Sequence, residues 1–226
     1  MELRARLEKA LGADVPSIQS IRGLPQATLE SLEALDALLT RWGKAVDLVG
    51  FKTRDERDRR YFAEALAALP WLPDQGRALD IGSGGGSPAL PLAVARRALA
   101  WTLVEANERK AQFLHEAVRT LTLDNARVVR ARYQNVSVKT PVDVVTLRGV
   151  AVTEEMLEKI GAELAPGGRL LWFSSEARLT EAAQRFVLDG DGGGWAACDG
   201  PRRLVPKGGF LLIVTTLTTV TAPPAP

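Results

Sequence analysis

The sequence predicts an α/β fold: a mostly parallel seven-stranded sheet with helices on both faces, an antiparallel edge strand and a helical N-terminal cap. Three observations carry this. From Arg77 onward, short β-rich runs alternate with helical stretches, the pattern of a parallel sheet covered on both sides. A glycine-rich loop follows the first of those runs, at Gly82 to Gly86. Before Arg77 only helical patterns occur, and Pro70 and Pro73 close them.

Residues 1–22 read as a short helix and a loop. From about 25 to 46, Leu29, Leu32, Leu35, Leu39, Trp42 and Val46 recur at three- and four-residue steps, which places them on one helical face. Asp55 to Leu69 also reads as helix. Its first half is crowded with charge (Asp55, Glu56, Arg57, Asp58, Arg59, Arg60) and its second half is rich in Ala and Leu. The strands expected are Ala78–Ile81, Trp101–Glu105, Arg127–Ala131, Val142–Leu147, Arg169–Phe173 and Phe210–Thr215. Helices are expected at about 88–98, 107–121 and 153–164, and from Ser175 to Leu188. The interval 132–141 carries no pattern. Gly190 to Gly194 reads as a turn, and Trp195–Val205 leads to the last strand, where a hairpin would give an antiparallel edge. The Pro/Ala/Thr tail after Val220 is expected to fray. The division is a cap over residues 1–74 and an α/β domain over 75–226.

Hydrophobic residues make up 46% of the 226 and charged residues 25%, enough apolar material for a real core. A net charge of +2 does not by itself argue for nucleic acid. Cys198 is the only cysteine, so no intrachain disulfide can form. No Cys/His cluster exists, and no metal is expected. The start, MELRARLEKALG, lacks the apolar run of a signal peptide. Phe210 to Val220 is interrupted by threonines and falls short of the about 20 residues of a membrane helix. These features read as a cytoplasmic protein with no membrane partner.

The loop Asp80-Ile81-Gly82-Ser83-Gly84-Gly85-Gly86 separates two cofactor classes. A dinucleotide fold wants G-x-G-x-x-G, and counting from Gly82 its third glycine falls on Ser87. The form D-x-G-x-G-x-G fits at every fixed position: Asp80, Gly82, Gly84 and Gly86. That form suits S-adenosylmethionine, whose sulfonium and ammonium groups are cationic and gain from a nearby carboxylate. Glu105 ends the next strand about 20 residues on, where an acid can take both ribose hydroxyls. The expected cofactor is S-adenosylmethionine and the expected architecture a Rossmann-like class I methyltransferase, with Asp80, Gly82, Ser83, Gly84, Gly86 and Glu105 at the cofactor.

Beyond the loop, the sequence resembles the RsmG family (glucose-inhibited division protein B), bacterial 16S ribosomal RNA guanine-N7 methyltransferases. The resemblance runs from about Leu38 to Leu171. Its most specific stretch is Val104-Glu105-Ala106-Asn107-Glu108-Arg109-Lys110-Ala111-Gln112-Phe113-Leu114; Arg41-Trp42, Asp47-Leu48, Arg130-Ala131-Arg132 and Leu147-Arg148-Gly149 add to it. It implies adenine contacts at Ala131 and Arg132, a catalytic-loop or RNA-facing role for Arg148, and 16S RNA or the 30S subunit as partner. The chain departs from the family pattern at Gly43, Asp47, Val49, Tyr61, Glu64, Ala65, Gly149 and Ser174-Ser175.

Guanine N7 carries a lone pair and no proton, so attack on a methyl group needs alignment and no general base. Arg148 and Arg132 are the residues expected to present the base. Two readings of Arg148 stand: a fork to guanine O6 or a phosphate, and a strand-end arginine paired with a nearby acid. Arg54, Arg57, Arg59, Arg60, Lys44 and Lys52 either track RNA phosphates or form a solvated face interleaved with acids. Trp42 and Trp71 are expected to pack the cap on the sheet, and His115 to be an ordinary helix residue. A methyltransferase for another RNA or a small molecule, and a cofactor-binding module without transfer, are the competing functions.

Overall fold

The computed structural model describes residues 2–12, 18–43, 48, 50–51, 53–188, 195–206 and 208–216. Val46 of the leucine stripe, Asp47, Val49, Lys44, Lys52, the 190–194 turn and the tail lie outside them.

The leucine spacing of the N-terminal third produces helices that share one core. Helix α1 (Leu3–Leu11) buries Leu3, Leu7 and Leu11 at four-residue steps. Where a loop was expected, a second short helix follows, α2 (Ile18–Arg22). Helix α3 (Gln26–Trp42) buries Leu29, Leu32, Leu35, Leu38 and Leu39. Thr53 caps α4 (Arg54–Arg57) by accepting from the Glu56 N–H. The helix then widens into a π-helical segment, Asp58–Ala63, and returns to α geometry in α5 (Glu64–Ala67). In that wide turn the Glu64 N–H donates to the Arg59 carbonyl five residues back.

The sheet and its covering helices follow. In chain order they are β1 (Gly76–Ile81), α6 (Ala89–Ala95), β2 (Leu99–Glu105), α7 (Glu108–Thr120), β3 (Ala126–Arg130), β4 (Val142–Arg148), α8 (Glu154–Glu163), β5 (Leu164–Ser174), α9 (Glu176–Leu188), β6 (Trp195–Arg203) and β7 (Phe210–Thr216). The unpatterned interval contains one 3₁₀ turn, Tyr133–Asn135. Strand order is β3-β2-β1-β4-β5-β7-β6. The β1–β5 neighbours pair in parallel, and β7 runs antiparallel to both β5 and β6. The expected antiparallel edge is therefore the β7–β6 pair, with the reversed strand second from the edge.

Successive strand residues point to opposite layers. Ala78, Leu171, Leu211 and Ile213 join the core of the N-terminal helices with α6 and α7, while Leu79, Leu170, Leu212 and Val214 join the core under α8 and α9. Trp42 meets Phe113 of α7 edge-on at 5.7 Å between ring centroids, and Trp71 packs on the same core, as their sequence positions suggested.

The charged half of the 55–69 helix is not simply a solvated face. Asp58 is buried, and so is Asp36 on α3. Arg6 of α1 reaches both: its Nε donates to Asp58 at 2.8 Å, and its Nη2 donates to Asp58 as well and to Asp36 at 3.2 Å. Arg57 donates to Asp36 at 2.6 Å, and Arg54 at 3.3 Å. Removing one member of such a cluster leaves an uncompensated buried charge. Asp58→Ala is expected to cost about 3 kcal/mol, read as a lower denaturant midpoint at unchanged slope. Replacing Arg6 and Asp58 together by leucine is expected to recover most of that loss.

Candidate cofactor and substrate site

The chain leaves β1 toward β2 on one side and reaches β4 on the other, so the crevice beyond the carboxyl ends of β1 and β4 is the topological switch point. The glycine loop lies there. Gly82, Gly84 and Gly86 all have positive φ, at 69°, 53° and 91°. A Cβ on Gly82 would sit 2.6 Å from a Val150 methyl, and one on Gly86 would sit 2.3 Å from Leu90. A Cβ on Gly84 would touch only the Gly82 carbonyl, at 3.7 Å. The first and last glycines are thus demanded by packing, and the middle one borders open space. The Gly82 and Ser83 N–H groups both donate to the Val104 carbonyl at 2.9 Å, which fixes the loop to the end of β2.

Glu105 ends β2 and folds back on the loop. One carboxylate oxygen accepts from the Gly84 N–H and the other from the Asn107 N–H, each at 2.7 Å. Each oxygen keeps a second lone pair. Asn107 in turn caps α7 by accepting from the Lys110 N–H. Ala131 donates its N–H to the Glu105 carbonyl at 3.2 Å, so the residue after β3 is tied to the same place. Arg132 next to it is exposed.

Asp80 is 1% exposed. Oδ1 accepts from the Thr146 hydroxyl at 2.5 Å, while Oδ2 is buried with no partner. Burial pushes its pKa up to about 6, against the hydrogen bonds from Thr146 and Ser83. An unpartnered buried carboxylate oxygen beside an open stretch of glycine backbone fits a cationic ligand group.

Arg148 ends β4. It donates to Glu64 at 2.5 Å and to the Ser87 hydroxyl at 3.1 Å. Glu64 is 2% exposed, and its other oxygen accepts from the Gly209 N–H at 2.7 Å. Burial pulls the Arg148 pKa below its ordinary value, and the Glu64 carboxylate opposes that. Ser87 donates to the Tyr61 carbonyl at 3.0 Å, and the Tyr61 hydroxyl donates to the Gly85 carbonyl at 2.7 Å. The departures at Tyr61 and Glu64 are thus structural partners of the glycine loop and of Arg148. Sequence reasoning did not place them at the site, nor Thr146 and Gly209. Thr146 had one signal: a lone hydroxyl inside the apolar run of β4, in register with Asp80.

A cleft of about 650 Å³ opens beside Arg148, lined by Arg59, Arg60, Glu64, Ser174, Ser175 and Arg178.

The strand order and the acid-preceded glycine loop define the class: a Rossmann-like methyltransferase that uses S-adenosylmethionine. The fold is shared with precorrin-6y C5,15-methyltransferase from Geobacter metallireducens GS-15, with a TM-score of 0.54 at 18% identity over 76% of this chain and 92% of that one. It is shared also with M. jannaschii TYW2 in complex with AdoMet, with a TM-score of 0.51 at 19% identity over 68% and 72% of the two chains. Residues 28–187 match the GidB family model, described as rRNA small subunit methyltransferase G, and the chain belongs to that family. It is 36% identical over 169 residues to the ribosomal RNA small subunit methyltransferase G of Xanthomonas axonopodis pv. citri (strain 306), which covers 73% of this chain and 79% of the relative.

Because the Asp80 pKa is raised on folding, its contribution to stability is full below its unfolded pKa near 4 and is lost as pH rises through about 6. Asp80→Asn is therefore expected to be more stable than the wild type at pH 7 by about 1–3 kcal/mol, with the difference vanishing toward pH 4. Thermal unfolding across that range checks it, and an equal gain at both ends would exclude the ionisation cost as its cause. Glu64→Ala strands the Arg148 guanidinium and is expected to cost about 3–5 kcal/mol in denaturant unfolding, with Glu64→Gln losing clearly less.

Proposed function

We propose that this protein transfers the methyl group of S-adenosylmethionine to guanine N7 in 16S ribosomal RNA, free or in the 30S subunit, in the cytoplasm. The observation that carries the reading is the junction at Arg148. One side chain binds the glycine loop through Ser87 and lines the arginine-rich cleft, so cofactor site and substrate cleft share a wall. Family membership and the names of the relatives supply the RNA.

S-adenosylmethionine supplies an electrophilic methyl group on a sulfonium when bound. The chain's residues hold and orient. Asp80 offers its unpartnered oxygen to the cationic part of the cofactor. Glu105 offers its remaining lone pairs to the ribose hydroxyls, and the backbone at Ala131 and Arg132 meets the adenine. The loop of Gly82, Ser83, Gly84 and Gly86 lets the cofactor approach the main chain closely. Guanine N7 has no proton to remove, so the catalytic demand is alignment of nucleophile, methyl carbon and sulfur, at about 3–3.5 Å between the reacting atoms. Arg148, fixed by Glu64 and Ser87, presents its remaining N–H donors to the base, with Arg132 assisting from the end of β3. Residues 1–74 serve as a cap that walls the substrate side, and 75–226 as the methyltransferase domain.

The test is transfer of labelled methyl to 30S subunits and to free 16S RNA, both from a strain lacking this methylation. Label at a single guanine, absent with Asp80→Ala, is expected. No label on either substrate with cofactor binding intact would overturn the assignment in favour of another substrate or a silent binding module.

A further inference from the structure

Among the described residues, the cleft beside Arg148 carries positive charge that its carboxylates do not neutralise. Its two carboxylates are engaged. Glu64 holds Arg148 and the Gly209 N–H. Glu56 pairs with Arg60 at 3.1 Å, and Arg60 also lies over the Phe51 ring at 5.1 Å. Arg59 and Arg178 remain. Both line the cleft, and neither has a carboxylate within ion-pair distance among the described residues. The Nε of Arg59 is moreover buried with no hydrogen-bond partner. A buried donor without an acceptor is uncommon in a finished protein interior.

The two cations come from separate elements that the fold brings to one cleft. Arg59 belongs to the π-helical segment 58–63, and Arg178 to the first turn of α9, just after Ser174 and Ser175 at the end of β5. Two uncompensated guanidinium groups facing one cleft are poorly matched to a neutral base, which offers no negative charge. They are well matched to phosphate oxygens, which accept the forked donors of arginine and supply the missing charge. The cleft volume, about 650 Å³, exceeds what a single base requires and leaves room for the backbone that flanks it.

We propose that Arg59 and Arg178 form a phosphodiester-binding subsite that grips the RNA backbone next to the base to be methylated. This rests on the RNA reading above. It separates the arginines by role: Arg148, held by Glu64 and Ser87, faces the base, and the backbone is held by the two arginines that have no ion-pair partner among the described residues. Ser174 and Ser175 add hydroxyl donors to the same cleft.

The experiment is equilibrium binding of a short, guanine-containing single-stranded RNA to the full chain, followed by fluorescence anisotropy between 50 and 200 mM KCl, conditions over which phosphate contacts weaken markedly. Arg59→Gln and Arg178→Gln are each expected to weaken binding about three- to tenfold at low salt and to reduce the slope of log K against log salt by about 0.7, one single-strand phosphate contact each. Arg178→Lys is expected to keep the slope. S-adenosylmethionine affinity and melting temperature are expected to stay at wild-type values, which separates lost contact from misfolding. Arg119→Gln, an exposed arginine on α7 away from the cleft, is the control. Wild-type slopes in both cleft variants, or an equal loss in the control, would overturn the subsite. Methyl transfer to 30S subunits, measured on the same preparations, keeps the two readings apart. Altered slopes with no transfer by the wild type would overturn the guanine-N7 reading and leave the phosphate subsite standing. Wild-type transfer with unchanged KM and slope in both variants would overturn the subsite alone.

Discussion

The Glu64 carboxylate is the constraint around which the site is arranged. It is almost wholly buried, and its two oxygens hold two parts of the chain far apart in sequence: Arg148 at the end of β4 and the Gly209 N–H before β7. A buried ion pair gains little net stability over an apolar pair of similar volume, because desolvation offsets attraction. Its effect here is positional. With Arg148 held, Ser87 is held, and through Ser87 and Tyr61 the glycine loop is fixed to the π-helical segment. Gly208 and Gly209 fit this arrangement because a Cβ on Gly208 would fall 1.9 Å from a Val205 methyl and 2.8 Å from a Glu64 oxygen, and one on Gly209 3.1 Å from the other oxygen.

The same low-dielectric interior sets the character of Asp80. Its carboxylate has one hydrogen-bonded oxygen and one bare one, with Glu105 adding repulsion and Arg148 attraction. The protein tolerates an acid whose ionisation is unfavourable there. Electrostatics in the remainder of the N-terminal region work differently. There Asp36 and Asp58 are surrounded by Arg6, Arg54 and Arg57, and the acids are neutralised internally. The contrast distinguishes charges that hold helices together from charges left available at the cleft.

Much of the α/β plan was legible because it is written in local periodicity. Leu29, Leu32, Leu35 and Leu39 declare their helix face, and Phe113, Leu114 and Ala117 declare theirs. The cofactor loop was legible for a different reason: backbone conformations with positive φ demand glycine, so Gly82, Gly84 and Gly86 announce the geometry they adopt. The burial of Asp58 is not legible in the sequence because its partner, Arg6, is 52 residues away and no local pattern links them. The short α2 escaped notice because five residues carry too little periodicity to distinguish helix from loop.

By itself, then, the sequence determined the alternation of strands and helices, the glycine loop with its two acids, and the family to which the chain belongs, since each is encoded in consecutive or regularly spaced residues. Only the tertiary structure decided what Arg148 touches, which acid neutralises which arginine, and which cations have no ion-pair partner among the described residues. Those are long-range outcomes: Glu64 and Arg148 stand 84 residues apart, and Glu64 and Gly209 stand 145 apart. Their pairing depends on the strand order that brings β4, β5 and β7 to one edge of the crevice, and on a helix whose wide turn sets the face that meets them.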